Sequence, residues 1–473
     1  MRRPNILLVV ADQLAADCIA ALGHPAVRTP HLDALVADAM SYEAAYSAAP
    51  LCAPSRAGLM TGRMPSRDGV LDNGSDLASS VPTFAHHLNR AGYTTVLAGK
   101  MHFVGPDQHH GFTERLTPDI MPTTFALTPA WSDSPVPNPG TSVDRLRQAP
   151  VAAWSLQRGY DDEALHRSLA RLRQLSTQDD PWLLCASFAQ PHDPFVVTAE
   201  EWAAYDDVLI PPPAVAGPDD DLHPFDRWIQ VHHEADVRPL TAEETLRARR
   251  AYYACVSWVD AAVGTLVAEV GRLGLSDDTI VVFTSDHGEM LGEHGMWFKR
   301  TWREGSLRVP LVVRVPRGLT GRRTAPVSLL DLTASLLGWA GVSDAEGLDG
   351  VPLGADRGPV RFEYLGEGTI EPLVGVRDGR WKYCAVRGHR SILVDLEDDP
   401  HETVNLSGRP GFAELEARLH AVALHGRDLD GLGDEVRASQ RRRLQVHDGT
   451  PPERTWPVEP AASVRAPYRP RAT

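Results

Sequence analysis

Cysteine is scarce in this chain and poorly placed for pairing. Cys18, Cys52, Cys185, Cys255 and Cys384 are odd in number, widely scattered, and none belongs to a CxxC pair. That pattern argues against a disulfide framework and makes the cytoplasm the expected compartment. Basic surface is lacking too: the formal net charge is -15, which argues against a nucleic-acid partner, since that would need a basic patch. A negative field favours a cationic substrate over an anionic one. Long apolar runs are also missing. Residues 6–11 are apolar but stop at Asp12 without a small-residue cleavage site, so they read as a buried strand rather than a signal peptide. No stretch reads as long enough to span a membrane, and no membrane partner is expected. No internal repeat is visible.

What is present suits a large core. Hydrophobic residues make up 43% of 473 residues, enough for one large α/β domain and a smaller appendage. Apolar, strand-like runs at 5–10, 94–98, 182–189 and 279–284 alternate with helical patterns, which predicts a mostly parallel sheet covered on both faces. Thr29 and Pro30 open a helix with Leu32, Leu35, Val36 and Ala39 on its inner face, Thr29 serving as cap. Further helices are expected at 54–62, 82–90 and 241–270. A composition shift at 347–357 suggests a catalytic domain over 1–355 and a C-terminal α+β subdomain over 356–473. In the latter, short antiparallel strands (373–384, 391–396) precede a helix at 412–424 and a tail rich in Pro and Arg. A tail of that kind is either disordered or packed on a neighbouring subunit.

The polar residues fall in a telling place. Asp12 and Gln13, Lys100 and His102, His192 and Asp193, and Asp286 and His287 each follow one of the four expected strands. The C-terminal edge of an open parallel sheet is where ligands bind. Each residue also has a plainer reading: Asp12 as a helix cap, Asp286-His287-Gly288 as a turn, Lys100 and His102 as solvated loop residues. Their shared placement is what argues against coincidence. Cys52 lies in Leu51-Cys52-Ala53-Pro54-Ser55-Arg56, just ahead of the helix expected at 54–62. A helix N-terminus attracts anions, and Arg56 adds a fixed positive charge. A buried structural cysteine, or a thiolate activated by histidine, are the other readings of Cys52.

The string Cys52-Ala53-Pro54-Ser55-Arg56 resembles the sulfatase signature, in which the cysteine is oxidised to formylglycine. Segments 99–102, 191–194, 285–288, 297–299 and 396–406 resemble the same family, so the likeness covers nearly the whole chain. It implies an alkaline-phosphatase-like α/β sandwich, a large mostly parallel sheet flanked by helices, and maturation by a formylglycine-generating enzyme. It implies a hydrated aldehyde at Cys52: one hydroxyl attacks sulfur and displaces the alcohol, and the second expels sulfate as the hemiacetal collapses. It also implies one divalent metal ion held by Asp12, Gln13, Asp286, His287 and the group made from Cys52. Ca2+ is expected, with Mg2+ or Mn2+ open. Gln13 stands where many sulfatases have Asp, and His287 where many have Asn. Lys100, His102, His192 and Lys299 would bind sulfate oxygens and protonate the leaving group, with Arg56 holding the diol.

Within the family the resemblance is closest to choline-sulfatases, through segments 11–14, 72–73, 82–86, 99–108, 363–368 and 439–443. The last, Ser-Gln-Arg-Arg-Arg, reads by itself as a solvated or phosphate-seeking basic patch. The resemblance implies instead a C-terminal oligomerisation segment, hence a homo-oligomer, a dimer or tetramer. A quaternary ammonium takes aromatic faces and a carboxylate; Asn73, Trp131 and Glu367 are the expected substrate-binding residues, with Glu363 competing for the carboxylate role. The chain departs from the choline-sulfatase tail at Trp456-Pro457-Val458-Glu459-Pro460, where an aromatic is expected. The reading is therefore hydrolysis of a small-molecule sulfate ester, choline-O-sulfate first. Another alkyl or aryl sulfate, a phosphonate or phosphate ester, a thiol-based hydrolase and an osmolyte-binding pseudoenzyme stand as alternatives.

Overall fold

The computed structural model describes residues 3–147, 151–217 and 222–450. Four strands form the centre of an eight-stranded sheet, in the order Thr279–Ser285, Asn5–Ala11, Trp182–Ser187, Thr94–Gly99. These four are mutually parallel and coincide with the four strands expected from the sequence. Alternation along Asn5–Ala11 explains its unbroken apolar run. Leu7, Val9 and Ala11 face one core, which includes Tyr252, Val256 and Val259. Ile6, Leu8 and Val10 face the other, with Leu88, Leu332 and Leu336. A strand buried on both sides has no position for a charged side chain until it leaves the sheet.

Beyond Thr279–Ser285, the strand Leu311–Arg314 runs antiparallel to both of its neighbours. The fold is thus α/β with a large mixed, mostly parallel sheet. A second, four-stranded antiparallel sheet follows: Val360–Tyr364, Leu373–Asp378, Trp381–Val386 and Ile392–Asp395. One of its faces is covered by helices Ala413–Leu424 and Leu429–Asp448 through Leu419, Leu432 and Val436. The other packs on Phe225, Trp228 and Met296, so it shares a core with the preceding chain. The tail around Pro457 and Val458 lies outside the described residues.

Three local expectations need correction. The helix placed at 54–62 begins at Cys52 and runs to Thr61, with extended Leu51 as its cap; Pro54 is tolerated because the first turn needs no intrahelical N–H partner. The helix Pro30–Ala37 is not capped by the Thr29 side chain. The Asp260 carboxylate accepts from the N–H groups of His31 and Leu32 instead, while the Thr29 hydroxyl bonds Asp33. Finally, the helix Ala242–Arg272, opened by a Thr241–Glu244 capping box, is long and apolar enough to cross a membrane by composition, with a mean hydropathy of 1.4. Of that apolar window 67% is buried inside the protein, as in a core helix.

The exit from Thr94–Gly99 is tight. Gly99 has φ +99, and a Cβ there would lie 1.7 Å from the Ser187 carbonyl oxygen, which accepts from the Lys100 N–H at 2.9 Å. Only glycine fits. Gly99→Ala is expected to cost about 3 kcal/mol or more, read as a lowered urea midpoint; an unchanged midpoint would contradict this geometry.

Candidate active site

Cys52 occupies the first position of the helix Cys52–Thr61, and Arg56 stands one turn further on the same face. Both are buried. The Cys52 sulfur lies 3.2 Å from His287 Nε2, 3.9 Å from Asp12 Oδ1 and 3.7 Å from Lys100 Nζ. Arg56 bridges the strand ends. Its Nε donates to Asp286 at 2.8 Å and its Nη2 to Asp12 at 3.0 Å. Its Nη1 donates to the Lys100 carbonyl at 2.7 Å and the Ser187 hydroxyl at 2.9 Å. Lys100 makes a further ion pair with Asp12. All four central strands therefore deliver a group to one guanidinium.

The charges support one another. Burial pushes the Cys52 thiol up, but Lys100, Lys299 and His287 outweigh it and hold the thiol well below its ordinary range. Burial and the Cys52 charge also oppose ionisation of Asp12, yet Lys100, His192 and Arg56 keep its carboxyl below the usual carboxylate range. Lys100 and Arg56 resist burial, chiefly through Asp12 and Asp286 respectively. The position of the Cys52 sulfur is thus built to hold negative charge.

The same groups fit a metal ion. Ligand atoms of Asp12, Cys52, Asp286 and His287 all lie within 4.8 Å of one another. His287 Nδ1 must donate to the Gly288 carbonyl at 3.1 Å, which turns Nε2 toward the cluster; a bound cation would displace the proton that Asp286 and Cys52 favour there. Two carboxylates with one imidazole make a donor set for a divalent cation. Gln13 sits beside this group but is otherwise engaged. Its amide oxygen accepts from Lys299 and its nitrogen donates to Glu289 and Asp193.

A cavity of about 870 Å³ opens above the cluster, lined by Cys52, Lys100, Asn73, Trp131, His192, Lys299 and Glu367. His192 Nδ1 bonds the Asp193 carbonyl at 2.8 Å, and its Nε2 accepts from Lys299 at 2.7 Å. His102 does not line the cavity. Its Nε2 bonds the Asn73 carbonyl at 3.1 Å, although it is among the groups that stabilise a Cys52 anion. Asn73 Oδ1 accepts from the Ala53 N–H at 3.0 Å and Nδ2 donates to Glu367 at 2.9 Å. Glu363 is turned away onto Ser66, whereas Glu367 lines the cavity. Trp131 Nε1 donates to the Gly366 carbonyl at 2.9 Å.

Two residues at the site escaped the sequence reading. Arg300 lines the cavity and pairs with Glu367 at 3.2 Å. Glu289 accepts from the N–H groups of Leu291 and Phe298, and burial raises its carboxyl to about 7. Both lie beyond the first turn after their strand, where the rim rule gives no signal; only adjacency to Lys299 and to Gly288 marked them.

Residues 4–342 match the family profile described as Sulfatase, and residues 292–427 match that of the N-sulphoglucosamine sulphohydrolase C-terminal region. A choline-sulfatase of Rhizobium meliloti (strain 1021) is 40% identical over 472 residues, covering 94% of this chain and 91% of that protein. An arylsulfatase of Clostridium perfringens (strain 13 / Type A) is 26% identical, covering 91% and 95%. Among solved structures, a phosphonate monoester hydrolase from Silicibacter pomeroyi superposes with a TM-score of 0.74 at 25% identity, covering 89% and 95%.

Removing the shared cation tests the cluster directly. Arg56→Met leaves buried Asp286 without its guanidinium partner and Asp12 with Lys100 alone, and is expected to cost about 3–5 kcal/mol, measured by denaturant unfolding. A loss below about 1 kcal/mol, the range of a surface pair, would contradict the buried arrangement.

Proposed function

The chain belongs to the sulfatase family and is a sulfuric ester hydrolase; from that premise we propose that it cleaves choline-O-sulfate to choline and sulfate, using a formylglycine made from Cys52 and one divalent ion. The observation that carries this reading is the placement of Cys52 at the base of the cavity, against Asp12, Asp286 and His287, with Trp131 and Glu367 on the same cavity's walls. A formylglycine-generating enzyme is the maturation partner this requires. Conversion of Cys52 supplies a hydroxyl nucleophile and a second hydroxyl that lets sulfate leave without another attack at sulfur. Asp12, Asp286 and His287, with the group at position 52, would hold the ion, Ca2+ first and Mg2+ or Mn2+ next; when bound, it supplies a Lewis acid for the sulfate oxygens.

The remaining work falls to side chains. Arg56 pairs with both carboxylates and fixes the helix start to the strand ends. Lys100 and Lys299, both at the cavity base, stabilise charge on the sulfate oxygens. The pair of His192 Nε2 and Lys299 Nζ, 2.7 Å apart and sharing one proton, is placed to deliver that proton to the departing alcohol. Trp131 offers an aromatic face and Glu367 a carboxylate to a quaternary ammonium. A phosphonate or phosphate ester is the rival substrate, favoured by the likeness to a phosphonate monoester hydrolase.

The test compares hydrolysis of choline-O-sulfate, an aryl sulfate and a phosphonate monoester by protein co-expressed with a formylglycine-generating enzyme. The choline ester is expected to show the highest kcat/KM; preference for the phosphonate would overturn the substrate, and the aryl ester alone would remove choline. Cys52→Ala is expected to lower turnover by about a thousandfold or more with folding intact. Chelation is expected to abolish turnover and Ca2+ to restore it; full activity after exhaustive chelation would remove the metal from the reading.

A further inference from the structure

The run at 439–443 has no place in the chemistry above. Within helix Leu429–Asp448 it divides: Gln440 and Arg443 are buried, whereas Arg441 and Arg442 are exposed. The expected solvated patch is therefore only half solvated. Arg437, Gln440 and Arg443 recur every three residues, so they share one face of the helix, and each reaches the substrate cavity's walls. Arg443 grips both oxygens of the buried Asp72 carboxylate, at 2.6 and 2.7 Å, and donates to the Thr128 hydroxyl at 3.0 Å. Gln440 Oε1 accepts from the Trp131 backbone N–H at 2.9 Å. Arg437 lies over the Trp131 ring at 5.5 Å and donates to the Ile370 carbonyl at 2.9 Å.

These contacts converge on two walls that already touch. Gly74 approaches Thr128 so closely that a Cβ would lie 2.3 Å from the Thr128 nitrogen. Between Asp72 and Gly74 stands Asn73, which bonds Glu367 and the Ala53 N–H. A forked guanidinium on Asp72 thus fixes the register of Asn73 against the nucleophile helix, while Gln440 fixes that of Trp131. The two sides meet across the half of the cavity that holds the departing alcohol.

We propose that Arg443 and Gln440 are positioning residues for the leaving-group half of the cavity, holding Asn73 and Trp131 in register from the C-terminal helix. This rests on the reading of that cavity as the ester site. Neither residue touches the sulfate half, where Arg56 and Lys100 share Asp12 and Lys299 holds Gln13. The proposal therefore separates two quantities that a general loosening would move together.

The experiment measures kcat and KM for choline-O-sulfate, and the inhibition constant of inorganic sulfate, in converted wild type and in Arg443→Met, Arg443→Lys and Gln440→Leu. Arg443→Met is expected to raise KM about tenfold, leaving kcat within about threefold and sulfate inhibition within about twofold. Lysine keeps the charge without the fork, so Arg443→Lys and Gln440→Leu are expected to raise KM by about threefold. An unchanged KM, or a loss of sulfate affinity in step with KM, would overturn the proposal. If Arg443→Met does not fold, the two milder variants carry the same comparison. If wild type cleaves only the aryl sulfate, the choline reading fails, and the same split between KM and sulfate inhibition is expected with the aryl ester.

Discussion

The guanidinium of Arg56 is the group on which the rest of the site depends. It reaches Asp12, Asp286, Ser187 and the Lys100 carbonyl, which are the exits of the four central strands. Without it Asp286 would lose its guanidinium partner, Asp12 would keep Lys100 alone, and the anion site at Cys52 would lose its frame. Asp12 and Asp286 together balance Arg56 and Lys100 in charge. Burial then strengthens these interactions rather than forbidding them, because each ion is paired and hydrogen-bonded.

That frame sets the charged base of the cavity apart from its walls, which come from different parts of the chain. The sheet supplies rigid strand ends, which hold the charged base of the cavity. The walls come from loops and from the C-terminal region: Trp131 from one loop, Glu367 from the turn after Val360–Tyr364. Helix Leu429–Asp448 reaches both walls through Arg443 and Gln440. Variation in the walls changes the alcohol that fits while the reacting base stays the same.

Much of this was legible before any coordinates. The four strands announced themselves as apolar runs because both of their faces are buried, and their first charged residues had to fall on one rim. Cys52 stood out by its neighbours Pro54 and Arg56. Other features were hidden for physical reasons. The start of the helix at Cys52 was masked by Pro54, which usually marks a first turn but here sits at its third position. The partners of the Gln13 amide, Lys299 and Glu289, are distant in sequence. His102 follows Lys100 closely but turns with φ 61 onto the Asn73 carbonyl. Arg443 read as surface because nothing local reveals a buried Asp72 waiting 371 residues away.

The central claim is that the reacting atom belongs to residue 52 and is an oxygen carried by an aldehyde made from the thiol. Mass spectrometry of the peptide containing Cys52, from catalytically active protein, tests it most directly. The account predicts formylglycine at position 52, in a fraction that tracks specific activity across preparations. Active protein whose peptide carries only the unmodified thiol would contradict it.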